Sequence, residues 1–175
     1  MALQLLETQK IWYCVSLKNW DNKTWLSSKK YIKSFNNFLS KQIKLNRDSQ
    51  ILDIGCGRGK ILGSLSSKLR LKNKPIGIDI EKHKDRDRRI HFKKINAIEF
   101  IKKNKKKFDL IMIKQTIHLL KFEEIKKLIY ACKNQLNKNG KILILSLETS
   151  NNEIQTFLLM KKNLKKSLDR DKKII

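Results

Sequence analysis

The segment Ile51-Leu-Asp-Ile-Gly-Cys-Gly-Arg-Gly-Lys60 concentrates residue types that hold a ligand through the backbone. Gly55, Gly57 and Gly59 alternate with Cys56 and Arg58, directly after an apolar stretch. Glycine permits positive φ and lets a ligand approach the main chain closely. A helix starting near Arg58 turns its free N–H groups into that loop. Asp53 ends the apolar stretch, where a carboxylate can accept bonds from an ammonium or another cation. The spacing is D-x-G-x-G-x-G. The dinucleotide fingerprint needs glycine or alanine where Lys60 stands, so that pattern is excluded. A second carboxylate, Asp79, follows Gly59 by 20 residues in the run Gly77-Ile-Asp79-Ile80. A third polar group, Lys114-Gln115-Thr-Ile-His118, follows another apolar run.

The elements that must position these residues follow from periodicity. Ile32, Phe35, Leu39 and Ile43 have helical spacing over 24–45, and Ile61, Leu62, Leu65 and Leu69 form a second stripe. Short apolar segments at 50–54, 76–80 and roughly 90–95 read as strands, and a short helix fits 97–103. Phe108–Ile113 is nearly all apolar, as in a parallel strand covered on both faces. Phe122, Ile125, Leu128, Ile129, Cys132 and Leu136 mark another helix, with Asn139-Gly140 as its expected C-cap. Lys141–Leu147 reads as a fifth strand, and Phe157, Met160, Leu164 and Leu168 as one face of a last helix. Alternating strands and helices predict an α/β fold with a doubly wound, mostly parallel sheet. Ligands then bind at the carboxyl ends of the strands, where the loops named above lie.

At these residues the sequence resembles the class I S-adenosylmethionine-dependent methyltransferases, a Rossmann-like family. ILDIGCGRG resembles the family's first motif, and the order and spacing of the Asp79 and 108–120 segments agree with it from about residue 48 to 147. The resemblance implies S-adenosyl-L-methionine as cofactor and no metal. It implies that Asp53, Gly55, Cys56, Gly57 and Gly59 form the cofactor loop. Asp79 would accept the ribose hydroxyls and Ile80 would flank the adenine. Asn96-Ala97 stand where the family usually has an acid for the adenine amino group, and the Asn96 amide oxygen keeps an acceptor there. Asp109, at the amino half of its strand, is expected to orient that strand. Gly59 can serve helix–strand packing alone, and Cys56 is read as a small filler.

Methyl transfer from a sulfonium is an in-line displacement, in which the protein supplies positioning and a dry site. A base is needed only when the nucleophile is protonated. His118 and Lys114 are the candidates; Lys114 and Gln115 alternatively line the methionine end of the cofactor, and His118 alternatively packs at a helix start. His83 and His91 receive no role. Trp12, Tyr13, Trp20, Trp25 and Tyr31 fall in an expected N-terminal helical lid (1–47), where rings either meet the sulfonium or, for most, pad the sheet. The cofactor core is expected at 48–147 and the C-terminal helix at 148–175, all in one domain.

Two departures from the family carry weight. Only Glu81–Arg89 join the second and third strands, too short for a crossover helix. A reduced connection also occurs in ribose 2′-O-methyltransferases of RNA, but Lys114 stands where that group has its catalytic aspartate. After Leu147 only 28 residues remain, so the C-terminal hairpin is expected to be lacking. Strand 141–147 would then be an exposed apolar edge, which a homodimer or heteromer would cover.

The formal net charge is +25, from 41 Lys and Arg against 16 Asp and Glu. It suggests nucleic acid, but Lys outnumbers Arg 34 to 7, where bidentate phosphate readers favour Arg. The 23 Ile and 14 Asn beside those lysines are also what an AT-rich coding sequence imposes. Lys105, Lys106 and Lys107 precede the fourth strand and so lie away from the cofactor end. The run Lys82, Lys84, Arg86, Arg88 and Arg89 begins at that end and can receive phosphate, although Asp85 and Asp87 interleave with it. Cys14, Cys56 and Cys132 are far apart, which argues against a disulfide scaffold or zinc site and fits a reducing cytoplasm. No signal peptide or membrane span is expected. The function expected is methyl transfer to a small-molecule acceptor. The alternatives are an RNA or ribosome-associated methyltransferase and a non-catalytic adenosylmethionine-binding scaffold.

Overall fold

The computed structural model describes residues 28–147 and 155–159. Strands β1 (Ile51–Ile54), β2 (Ile76–Asp79), β3 (His91–Lys94), β4 (Phe108–Lys114) and β5 (Leu136–Leu147) run parallel, and β6 (Gln155–Leu159) is antiparallel to β5. Their order across the sheet is β3-β2-β1-β4-β5-β6. The order reverses between β1 and β4, so the crevice above those two carboxyl ends is the expected ligand position.

Alternation along the strands divides the core into two layers. Ile51, Leu110, Met112, Leu143 and Leu145 pack with α1 (Lys29–Gln42) and α2 (Lys60–Leu69). Leu52, Ile54, Ile111, Ile113, Ile142 and Ile144 pack with α3 (Ala97–Lys103) and α4 (Phe122–Asn134) on the opposite face. Each fully buried Leu or Ile contributes about 1.5–3 kcal/mol, so both faces must be covered for this sheet to be stable. Helix α1 starts where the Ser28 hydroxyl accepts the Tyr31 N–H, 3.1 Å away. The stripe Phe35, Leu39 and Ile43 is buried as its spacing predicts. Between β2 and β3 the chain forms turns and no helix, in agreement with the shortness of 81–89.

Three expectations are corrected. First, Asn139-Gly140 do not cap α4. The helix ends at Asn134, with Gln135 as C-cap, and Asn139-Gly140 lie within β5. There the register slips: Phe108 pairs with Leu136, but Leu110 pairs with Lys141. The pair thus serves a bulge, another use of the same turn-forming residues. Buried Gln135 makes the earlier stop possible, because its side-chain amide donates to the carbonyls of Ile101 and Asn104 and so ties α3 to the start of β5.

Second, the segment expected to begin the last helix forms β6 over 155–159, with Phe157 opposite Leu145. A short apolar run has no decisive period, and the unpaired backbone along β5 offers five residues a complete ladder. Met160, Leu164 and Leu168 lie outside the described residues. Third, β6 covers β5 from Leu143 to Leu147 within the same chain. An antiparallel strand therefore stands where the hairpin is expected to be lacking, and this edge of β5 needs no second copy to cover it.

Candidate functional site

The loop after β1 is built by backbone conformation. Gly55, Gly57 and Gly59 have φ of 69°, 52° and 69°, in the left-handed region that other residues enter only with strain. The loop is anchored to β2, since the N–H groups of Gly55 and Cys56 both donate to the Ile78 carbonyl at 2.9 and 3.0 Å. At Gly57 a Cβ would meet no protein atom within 4 Å, so the residue faces open space. Its own fold does not require a glycine there for room; a ligand lying against the main chain would.

Asp79 sits across from this loop at the end of β2. One carboxylate oxygen accepts the Gly57 N–H at 2.7 Å and the other accepts the Glu81 N–H at 3.0 Å. Both oxygens are thereby fixed in direction and each keeps lone-pair capacity for a further donor. Ile80, the next residue, is 65% exposed despite its apolar side chain. Asn96 caps α3, its Oδ1 accepting the Ile98 N–H at 2.9 Å, and Ala97 begins that helix.

Beneath the loop lies a buried ion pair that links β1 and β4. Lys114 Nζ donates to Asp53 Oδ1, and the two side chains are 6% and 1% exposed. The other oxygen, Asp53 Oδ2, has no hydrogen-bond partner. Burial pushes the Asp53 carboxyl above the ordinary carboxylate range, and the Lys114 ammonium opposes that push. A lysine engaged as donor to a carboxylate offers no lone pair for proton abstraction, so the geometry gives Lys114 a holding function. Gln115 follows with a left-handed φ of 52°, and both atoms of its side-chain amide are buried without a partner. Backbone strain and unsatisfied polar atoms in adjacent residues are typical of a ligand clamp.

A half-open cavity of about 310 Å³ lies at the loop, lined by Gly55, Cys56, Gly57, Lys114 and Gln115, with Arg58, Lys60 and His83 among its other walls. The structure thus brings together the glycine loop, Lys114 and Gln115, with Asp53 tied to them through Lys114. Asp79, Ile80, Asn96 and Ala97 lie outside the cavity lining, at the neighbouring strand ends. Sequence reasoning missed His83, Arg58 and Lys60 as wall residues. His83 is five residues from Ile78, but a turn with no helical period gives no signal of where its side chain points. His118 lies in a short 3-10 turn, Ile117–Leu119, and its side chain is outside the described residues. Trp12, Tyr13, Trp20 and Trp25 are outside them as well, whereas Tyr31 is buried and stacks on Phe35 with ring centroids 5.8 Å apart.

Cys56 packs beside Gly77, where an added Cβ would lie 2.8 Å from its sulfur. Burial, aided by the Asp53 charge, pushes its thiol up to about 12, so it remains protonated and acts as a filler. Among the described residues no group of three His, Cys, Asp or Glu is arranged to hold a metal, and no helix is long and apolar enough to cross a membrane.

A family model described as a methyltransferase domain matches residues 45–173. Among solved structures, an S-adenosylmethionine-dependent methyltransferase from Archaeoglobus fulgidus is 27% identical over 69% of this chain and 55% of its own, with a TM-score of 0.57. The plantazolicin methyltransferase BamL, bound to a triazolic desmethylPZN analog and SAH, is 24% identical over 72% of this chain and 55% of its own, at 0.55. Precorrin-6y C5,15-methyltransferase from Geobacter metallireducens GS-15 is 12% identical, covers 83% of this chain and 94% of its own, and scores 0.58. The last two speak to the fold alone. No curated protein matches by sequence. The chain spans about half the length of the Archaeoglobus protein.

The fold and the glycine-loop site define the Rossmann-like, class I S-adenosylmethionine-dependent methyltransferases. The chain belongs to the methyltransferase-domain family, and the Archaeoglobus structure it resembles is named as S-adenosylmethionine-dependent. The residues present fit S-adenosylmethionine: an unpartnered amide and a glycine facing open space line one cavity, and the lysine beside them holds a carboxylate with one unpaired oxygen.

Proposed function

We propose that the protein transfers a methyl group from S-adenosylmethionine to a small-molecule acceptor. The observation that carries this reading is the Gln115 amide, buried and unpartnered, in the lining of a cavity rimmed by the glycine loop, beside the Lys114 that holds the half-satisfied Asp53. When bound, the cofactor supplies an activated methyl on a sulfonium. Asp79, held by the Gly57 and Glu81 amides, accepts the ribose hydroxyls, and Ile80 covers one adenine face. Asn96 offers the second lone pair of its amide oxygen to the adenine amino group. Asp53, steadied by Lys114, and Gln115 bind the amino-acid end. The protein then orients the acceptor in line and excludes water. An acceptor that carries a proton requires a base, and His118 is the candidate. A small acceptor is supported by two of the matched folds, which are named as methyltransferases of a plantazolicin and a precorrin.

Calorimetry with adenosylhomocysteine tests the site. The native chain is expected to bind it, and Gly57→Val is expected to abolish binding while the protein stays folded by circular dichroism. Normal binding by that variant would remove the loop from the site. Methyl release onto an acceptor, set against cofactor binding alone, separates transfer from a non-catalytic scaffold.

A further inference from the structure

A second groove of about 410 Å³ adjoins the cofactor cavity and is lined by Lys29, Lys33, Arg58, Lys60 and Arg89, with Ile32 and Ser64 completing it. Arg58 and Lys60 line both spaces, so the two are continuous through these side chains. Five of its seven lining residues are cationic and none is acidic. They come from three separate parts of the chain: the first turns of α1, the start of α2 and the turn that leads into β3.

Only part of this charge is neutralised internally. Arg58 pairs with Asp85 at 3.1 Å, and Arg89 forks onto Asp87. Lys29, Lys33 and Lys60 form no ion pair with a described residue, and the Ser64 hydroxyl has no hydrogen-bond partner there. Like charges on three converging elements repel in the absence of an anion, and an anion placed among them gains from each. These cations gather around one groove of about 410 Å³, which suits a compact anionic group. The Lys105–Lys107 triplet, which a long polyanion would also engage, lies at the opposite end of the strands.

We infer that this groove holds the anionic group, a phosphate, of the methyl acceptor, while the acceptor's nucleophilic atom reaches the cofactor cavity past Arg58 and Lys60. This rests on the methyl-transfer reading above and narrows its substrate to phosphate-bearing small molecules. Lysine is suited to this duty as a mobile point charge, and Ser64 adds a neutral donor.

The test is calorimetry of inorganic pyrophosphate, with adenosylhomocysteine titrated in parallel, on the full chain and on Lys29→Glu/Lys33→Glu. Pyrophosphate is expected to bind the native chain and to bind the double variant about tenfold more weakly or worse. Adenosylhomocysteine is expected to bind both equally, which also reports that the variant is folded. Equal pyrophosphate affinity in the two proteins overturns the groove. Absence of pyrophosphate binding, with an RNA oligonucleotide bound at a steep salt dependence instead, overturns it in favour of nucleic acid. Loss of adenosylhomocysteine binding by the native chain would count against the cofactor reading, and its retention with no pyrophosphate binding against the groove alone.

Discussion

Two aspartates on neighbouring strands, Asp53 and Asp109, stand at opposite ends of the same sheet and have opposite surroundings. Asp109, at the amino end of β4, has both oxygens satisfied. The Gln50 N–H donates to one at 2.7 Å and the Asn137 amide to the other at 2.7 Å. Asp53, at the carboxyl end of β1, is fully buried, is held by one lysine and keeps one oxygen without a partner. A carboxylate that organises a fold is completed by the fold. One that serves a ligand is left incomplete and needs a countercharge to tolerate burial. Under the proposed function, the difference marks the end of the sheet that meets the ligand.

Several substitutions would break or sharpen this contrast. Lys114→Met should have the largest effect, because it strands the Asp53 charge in the core. A loss of about 3–5 kcal/mol in urea unfolding is expected, and Asp53→Asn/Lys114→Met together should recover much of it. A loss near zero in the single variant would mean that Asp53 is not charged there.

Asp79→Ala should lower adenosylhomocysteine affinity by about 1–3 kcal/mol in calorimetry through lost charge-assisted hydrogen bonds. Unchanged affinity would take Asp79 out of the site. Asp109→Ala leaves the Gln50 N–H and the Asn137 amide without their acceptor, so about 1–2 kcal/mol of stability should go, with cofactor affinity unchanged. A fall in affinity would erase the distinction between the two ends.

The smallest effect belongs to Asp87. Arg89 holds its carboxyl below the usual range through a side-chain hydrogen bond, against the opposing pull of burial. Its folded pKa is therefore depressed. The stability it contributes is present above the unfolded value of about 3.9 and is lost as pH falls through the folded value. Half of Arg89 is solvent-exposed, so Asp87→Asn should cost only about 1 kcal/mol at pH 7. The gap to the native protein should close on acidification, and a gap that widened would reverse the sign assigned here.

Asp87 also shows what a linear reading lacks. In sequence, 82–89 is an alternating charge run that can receive phosphate. In the fold, the Asp87 carboxylate lies where a Cβ on Gly63 of α2 would stand, 2.4 Å from its Cγ. Arg89 braces it and also reaches the Ser67 hydroxyl at 2.9 Å. Arg86 lies 3.1 Å over the Phe92 ring. Much of that run therefore locks the short connection onto α2, and of its cations Arg89 alone lines the neighbouring groove.

By itself, the sequence determined the α/β order, the glycine loop, Asp79 and the apolar strands, because these depend on local period and on residues with few conformational alternatives. The left-handed backbone of the loop is written in Gly55, Gly57 and Gly59. The tertiary structure decided what depends on neighbours far along the chain: the Asp53–Lys114 pair, 61 residues apart, the bulge at Asn139-Gly140, and β6 in place of a helix. It also set His83, Arg58 and Lys60 around one cavity and Lys29 and Lys33 around the next. Hydrogen-bond completion and burial are properties of assembled surfaces, and no window along the chain contains both sides of them.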